Sequence, residues 1–270
     1  MNDTFWILQE QLWHKVIEKE IINYFNSNNI NYIIVNKNDH DIRSLVPVNH
    51  LNDKIMFYGS LEMARRVRLG NFNVGLFCTI DNYKCSNYYS KYNRCLLNSN
   101  YVMFPFGDLI NKKDFINNIF KDNNGFFIRP DSGEKIFTGY TTTIDVFDID
   151  LDECKKNNNV KDSDIVLVSP YQKIFREWRF FVSYKEILSS CIYKSSFYKV
   201  REEDQASKAA YELVEFLREV YSPDEFFVMD IAETKDNFFL LEINAFSTSG
   251  IYDCSTEVII KSVNNYLKDN

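Results

Sequence analysis

Two apolar runs in the last quarter of the chain, Phe226-Phe227-Val228-Met229-Asp230-Ile231-Ala232 and Phe238-Phe239-Leu240-Leu241-Glu242-Ile243-Asn244, flank a polar break at Thr234-Lys235-Asp236-Asn237. Aromatic and branched residues in the runs favour strands, and the break has turn composition, so the segment reads as a β-hairpin. With the turn centred near Asp236, Asp230 falls opposite Glu242, and Asn244 follows two residues on, on the same face. Three oxygen donors then share one side of a ribbon whose other positions are nearly all hydrophobic. A solvent-facing strand edge would also carry polar residues, but Phe, Val, Met, Ile and Leu on both sides argue against exposure. Buried carboxylates need a partner, and three hard oxygens suit a hard cation such as Mg²⁺.

The 270 residues suffice for a two-domain protein or one large α/β unit with a full core. Hydrophobic residues at 45%, with 16% aromatics, mark a globular chain rather than a disordered one. A net charge of −7 argues against general nucleic-acid or membrane-surface binding. Six cysteines lie scattered without a CxxC pair or zinc spacing, and the three histidines (His14, His40 and His50) complete no structural metal cage. Free thiols in a reducing compartment are the expectation. Charges interrupt the first 20 residues, and no apolar run approaches the ~20 residues a membrane span needs. The chain therefore reads as a soluble cytoplasmic protein.

Strands and helices alternate at first. Residues 5–8 read as a strand, 13–26 as an amphipathic helix and 31–35 as a second strand. A strand at 54–58, a helix at 61–68 capped by Ser60 and a strand at 74–79 follow, and 81–100 reads as loop with short helix. This order predicts a small open α/β domain, with a largely parallel sheet, over residues 1–112. Beyond it the texture changes to α+β, predicting a second domain over 113–270. There the expected elements are a helix at 112–120, β segments at 126–129 and 141–147, a short helix at 152–156 and a strand at 164–168. An antiparallel pair at 177–183 and 187–193, a helix at 205–220, the hairpin and a closing helix at 257–267 complete the chain.

Two further stretches carry chemistry. In Phe127-Ile128-Arg129-Pro130-Asp131-Ser132-Gly133-Glu134-Lys135, a strand ends in a cation and a flexible loop carries another. Arg129 offers a planar fork and Lys135 a mobile point charge, a pair able to grip a polyphosphate from two directions. Read alone, the stretch is an ordinary charged surface turn, and no P-loop pattern is present. In Arg176-Glu177-Trp178-Arg179-Phe180-Phe181-Val182, alternation puts Glu177 and Arg179 on one face and Trp178, Phe180 and Val182 on the other. The run Val166-Leu167-Val168-Ser169-Pro170-Tyr171 just before it has the composition of an apolar hinge able to sandwich a purine.

The order of these parts, a cation-Pro loop, an apolar hinge, an E-x-R strand, a strand Asp and an E-x-N, resembles the ATP-grasp superfamily over about residues 113–260. Arg129-Pro130 where the superfamily usually has a strand Lys-Pro, together with Lys135 and Glu177-Trp178-Arg179, is similar to a subgroup marked by two Arg and one Lys. That subgroup occurs in phages, large DNA viruses and bacteria, so a viral chain would act in the host cytoplasm. The resemblance implies an ATP-grasp fold in which two α+β subdomains clasp ATP, behind the small α/β domain. It implies Asp230, Glu242 and Asn244 as Mg²⁺ ligands, and Arg129 and Lys135 as phosphate grips. It implies Val166, Val168 and Ser169 as the adenine hinge, with Glu177 also on the nucleotide side, and Arg179 facing an acyl phosphate. Lys135 and Arg179 are thus the expected catalytic cations, and residues 131–139 a thinned lid.

The reaction so implied joins a carboxylate to an amine through an acyl phosphate, with release of ADP and phosphate. A phosphotransferase acting on a hydroxyl acceptor and a non-catalytic nucleotide-binding regulator are the two alternatives. Residues 245–252 are small, polar and flexible, and read either as an acceptor-substrate loop or as a plain strand-to-helix connection. Lys194 and Lys199 read as solvated charges, with the cleft as the other place for them.

Overall fold

The period-2 and period-3.6 patterns of the sequence resolve into three four-stranded sheets and the helices that cover them. The structure is a computed structural model and describes residues 4–10, 15–121, 125–195 and 206–269. The first sheet is built from β1 (Thr4–Gln9), β2 (Asn31–Val35), β3 (Lys54–Tyr58) and β4 (Asn73–Gly75), in the order β2-β1-β3-β4 and parallel throughout. Its crossovers carry α1 (Lys15–Ser27), α2 (Ile42–Leu45) and α3 (Leu61–Leu69). Parallel strands need such crossovers, and helices on both faces explain why the first five residues of β1 are buried. The Ser60 hydroxyl accepts from the Met63 amide, the expected cap, a contact of about 1 kcal/mol. The start of the helix expected at 13–26 lies outside the described residues.

The strand expected at 74–79 is only β4, a short edge strand after which the chain leaves the sheet. Residues 81–100 hold more order than their polarity suggests. The helix α4 (Cys85–Tyr92) buries Tyr88, Tyr89 and Tyr92, and the Tyr92 hydroxyl donates to the Tyr221 carbonyl at 2.8 Å.

The middle sheet is antiparallel, in the order β5-β8-β6-β7, from β5 (Val102–Pro105), β6 (Phe126–Pro130), β7 (Tyr140–Thr142) and β8 (Ile165–Pro170). Helices α5 (Leu109–Ile119) and α6 (Phe147–Asn157) cover one face, around a core of Phe106, Ile116, Phe126, Ile128, Phe147, Val166 and Val168. The β segment expected at 141–147 stops at Thr142. Phe147, Leu151 and Cys154 recur at helical spacing and are buried, so α6 starts where the strand had been expected to run on.

The C-terminal sheet is also antiparallel, in the order β10-β9-β11-β12, from β9 (Arg176–Ser183), β10 (Ile187–Ser195), β11 (Phe226–Glu233) and β12 (Phe238–Ala245). One face packs on α4 and α7 (Lys208–Val220), through Trp178, Phe180, Met229, Ile231 and Leu217. The other packs through Phe181, Val228 and Phe246 on α8 (Thr256–Asp269), which also contacts α1 and β1. Helix α8 therefore ties the C-terminal sheet to the first one. No helix among the described residues is long and apolar enough to cross a membrane.

Candidate active site

The register of the C-terminal sheet aligns Cys191, Arg179, Asp230 and Glu242 in one row across its four strands. Asp230 stands opposite Glu242 as the hairpin pattern predicts, and Asn244 follows on the same face of β12. A bulge lies immediately beyond, where Ile231 pairs with Leu240 and leaves Leu241 extra. Such a bulge re-aims a strand locally, and Leu241 and Glu242 both reach the neighbouring cavity.

Asp230 is fully buried. Arg179 Nε donates to its Oδ1 at 2.8 Å and Nη2 to its Oδ2 at 2.7 Å, a two-pronged pair. Arg179 Nη1 donates to the Gly250 carbonyl at 3.0 Å, and the Tyr252 ring lies 4.9 Å from the guanidinium. Asn244 Nδ2 bridges the two carboxylates, 2.8 Å from Asp230 Oδ2 and 3.1 Å from Glu242 Oε1. Its Oδ1 is buried without a hydrogen-bond partner.

Two cations reach Glu242 from the middle sheet and its loop. Arg129 Nη2 lies 3.1 Å from Oε2, and Lys135 Nζ 3.3 Å from Oε1. Burial opposes ionisation of Glu242, but Lys135, Arg129 and the Asn244 amide outweigh it and bring the carboxyl down to about 2. At Asp230 burial dominates and raises the carboxyl above its ordinary value, with Arg179 pulling the other way. Three cations thus face two carboxylates, leaving a cationic surplus suited to an anionic ligand.

A cavity of about 530 Å³ opens beside Glu242, between the middle and C-terminal sheets. That volume is within the usual range for a small-molecule site. Phe127, Arg129 and Tyr140 line it from the middle sheet, Lys135 and Phe137 from the loop, and Glu177 and Lys194 from the C-terminal sheet. Lys194, otherwise exposed, pairs with Glu177 at 2.9 Å. Lys199 lies outside the described residues. Val166 and Val168 are placed elsewhere: their side chains are core residues of the middle sheet. Ser169 is buried, with its hydroxyl unpartnered, and none of the three lines the cavity. The wall lies just beyond β8, at Tyr171, Gln172 and Ile174, which strand alternation alone does not single out. The aromatic closing the apolar run at Tyr171 was the available signal. Arg179 stays behind the carboxylates and does not line the cavity.

The loop after β6 is held from several sides. The Ser86 amide donates to Asp131 Oδ1 at 2.9 Å, and Arg65 pairs with Glu134 at 2.7 Å. A Cβ at Gly133 would sit 2.1 Å from the Ile80 carbonyl oxygen, so only glycine permits this approach. Lys135 itself takes a left-handed backbone, φ 49°. A second cavity of about 60 Å³ lies behind Arg129 and Lys135, lined by Leu61, Tyr83, Asn244, Thr248 and Ser249.

The donor set fits a hard divalent cation. It offers two carboxylates and an amide oxygen, all hard ligands, and the Asn244 oxygen has no competing donor. Both Asp230 oxygens accept from Arg179, so Glu242 and Asn244 are the more open donors. No group of three or more His, Cys, Asp or Glu side chains able to hold a metal occurs among the described residues. Two carboxylates and one amide oxygen make at most a partial shell, and Mg²⁺ sites commonly complete theirs with substrate phosphates and waters.

Residues 109–262, more than half of the chain, match the sequence model of a family described as an ATP-grasp domain, the second family of its clade. None of the curated proteins matches by sequence. Among solved structures, the D-cycloserine synthetase DcsG superposes with a TM-score of 0.68 at 8% identity, covering 98% of this chain and 99% of that one. The D-alanyl-alanine synthetase A of Vibrio cholerae gives 0.64 at 14% identity, with 99% of each chain covered. The ATP-grasp ligase PsnB, complexed with minimal precursor, Mg and ADP, gives 0.56 at 8% identity, with 98% and 96% covered. At these identities the likeness is one of fold.

Proposed function

The chain belongs to the ATP-grasp family, and from that premise we propose that it is an ATP- and Mg²⁺-dependent carboxylate-amine ligase. The observation that carries this reading is the meeting of Arg129 and Lys135 with Glu242 at the rim of a ligand-sized cavity, backed by Asp230 and the unpartnered Asn244 oxygen. ATP lies in the cavity with its base toward Tyr171 and Ile174 and its phosphates toward Arg129 and Lys135. Asp230, Glu242 and Asn244 would hold Mg²⁺, which when bound would supply charge neutralisation for γ-phosphoryl transfer.

In the free protein Glu242 neutralises both cations. With nucleotide present, Arg129 and Lys135 turn from the carboxylate to phosphate oxygens, a short movement for a fork and a flexible stem. The acceptor carboxylate attacks the γ-phosphate to give an acyl phosphate and ADP. The amine then displaces phosphate. Arg179 stays behind the carboxylates, where its fixed positive charge holds Asp230 in place beside the site. Residues 131–139 exclude water from the acyl phosphate, which would otherwise hydrolyse. The names of the similar structures, a D-alanyl-alanine synthetase and a ligase with its precursor, support substrates of amino-acid or peptide type.

Two measurements test this. Thermal shift with ATP, with and without Mg²⁺, is expected to show stabilisation that depends on Mg²⁺ in the wild type and is lost in Glu242→Ala. Ligand at ~100 times its dissociation constant contributes about 2.7 kcal/mol. ADP release over a panel of amino acids and peptides is then expected to require both a carboxylate and an amine. Sustained ADP release with a hydroxyl acceptor and no amine would overturn the ligase reading in favour of phosphotransfer.

A further inference from the structure

The row that holds the site ends, on its outer strand, in a cysteine. Cys191 pairs in register with Arg179, and its Sγ lies 2.9 Å from that of Cys254. Non-bonded sulfurs do not ordinarily approach so closely, and Cys254 is the donor in this contact. Both residues are nearly closed to solvent, at 6% and 5% exposure. Each also faces a backbone carbonyl: Cys191 Sγ lies 3.9 Å from the Ile251 oxygen, and Cys254 Sγ 3.8 Å from the Arg179 oxygen. The two sulfurs thus join β10 to the turn after β12, which delivers Gly250 and Tyr252 to the Arg179 guanidinium.

The geometry points to Cys191 and Cys254 as a reversible dithiol–disulfide site, oxidised by exchange with a low-molecular-weight disulfide, that staples the turn at 250–254 to β10 behind Arg179. The inference stands apart from the ligase reading, because it concerns the thiols alone. The Cys191 thiolate attacks one sulfur of the small disulfide, forming a mixed disulfide and releasing one small thiolate. The Cys254 thiol then loses its proton and attacks Cys191 Sγ, closing the protein bond and releasing the second small thiolate. Two protein thiols are oxidised and one small disulfide is reduced to two thiols, so electrons balance. Cys191 is the attacking group because the hydrogen bond from Cys254 outweighs burial and favours its thiolate, while burial pushes the Cys254 thiol up.

Access comes through the turn. Asp253 and Ser255 on either side of Cys254 are exposed, and Tyr252 is 38% exposed with φ 53°, a left-handed backbone that a bulky residue adopts at a cost. Local opening of this short turn uncovers both sulfurs without unfolding the sheet. The other four cysteines have no such partner sulfur within hydrogen-bonding distance among the described residues.

The test uses the full chain, reduced and then freed of reductant. Incubation with glutathione disulfide, denaturation, alkylation and mass spectrometry count the remaining thiols. The expected result is loss of two of the six alkylatable cysteines, with a peptide cross-link between Cys191 and Cys254 that dithiothreitol reverses. The cross-link is absent in Cys254→Ser. Six alkylatable cysteines after oxidation, a stable glutathione adduct on Cys191 in the wild type, or a cross-link through other cysteines would overturn the proposal. The thiol count in the wild type stands whether or not the variant folds.

Discussion

Arg179 and Asp230 face each other across β9 and β11 and exchange two hydrogen bonds, of 2.8 and 2.7 Å, in a site closed to solvent. The guanidinium gives its remaining prong to the Gly250 carbonyl, so one residue fixes a carboxylate on one side and a turn on the other.

Removing one member of such a pair leaves the other charge buried and uncompensated. Asp230→Asn is expected to lower stability by about 3–5 kcal/mol, measured by urea unfolding. Glu242→Gln, at a half-buried position with mobile partners, is expected to cost less than about 2 kcal/mol. Equal losses would contradict the difference between a carboxylate locked in a buried pair and a more open one.

Lys135 is 51% exposed, and its pair with Glu242 contributes little to the fold. Lys135→Ala is expected to leave the melting temperature of the free protein nearly unchanged. ATP affinity should fall by about 10- to 100-fold, the loss of one charged hydrogen bond of about 1.5–3 kcal/mol. Isothermal titration of both proteins checks this.

The Glu242 carboxyl is depressed from 4.5 to about 2 in the folded protein. Its contribution to stability is therefore fully present above pH 4.5 and is lost as pH falls through about 2. The stability difference between wild type and Glu242→Gln should shrink over that window and hold constant from pH 5 to 8. A difference that grows on acidification would contradict the assigned partners.

Gly133 admits no side chain, because the Ile80 carbonyl oxygen occupies the place of its Cβ. Gly133→Ala should push the loop off that contact at a cost of about 1–3 kcal/mol. Faster hydrogen exchange confined to residues 131–139 is the expected signature.

Much of this site was legible because strand geometry is short-range. Once residues 234–237 are taken as the turn, alternation alone sets Asp230 against Glu242 and places Glu177 and Arg179 on one face. Where the sequence misled, local propensity was the cause. Thr141, Thr142 and Thr143 carry β-branched propensity, yet the buried spacing of Phe147, Leu151 and Cys154 starts a helix soon after. Tyr88, Tyr89 and Tyr92 look polar in a hydropathy profile and are core residues here, because the large apolar rings dominate their burial; the Tyr92 hydroxyl also finds the Tyr221 carbonyl. Long-range pairing was not legible. The pairing of β5 with β8, and the placing of Ile174 against the cavity, depend on chain segments that local patterns do not connect.

The middle and C-terminal sheets are separate hydrogen-bonded ladders, and the cavity lies between them. Mechanically, each wall is a stiff plate, and the coupling across the gap near Glu242 runs through side chains of adjustable reach. A change in gap width at Glu242 is then taken up first by Arg129 and Lys135, whose side chains can turn or lengthen while each ladder stays intact.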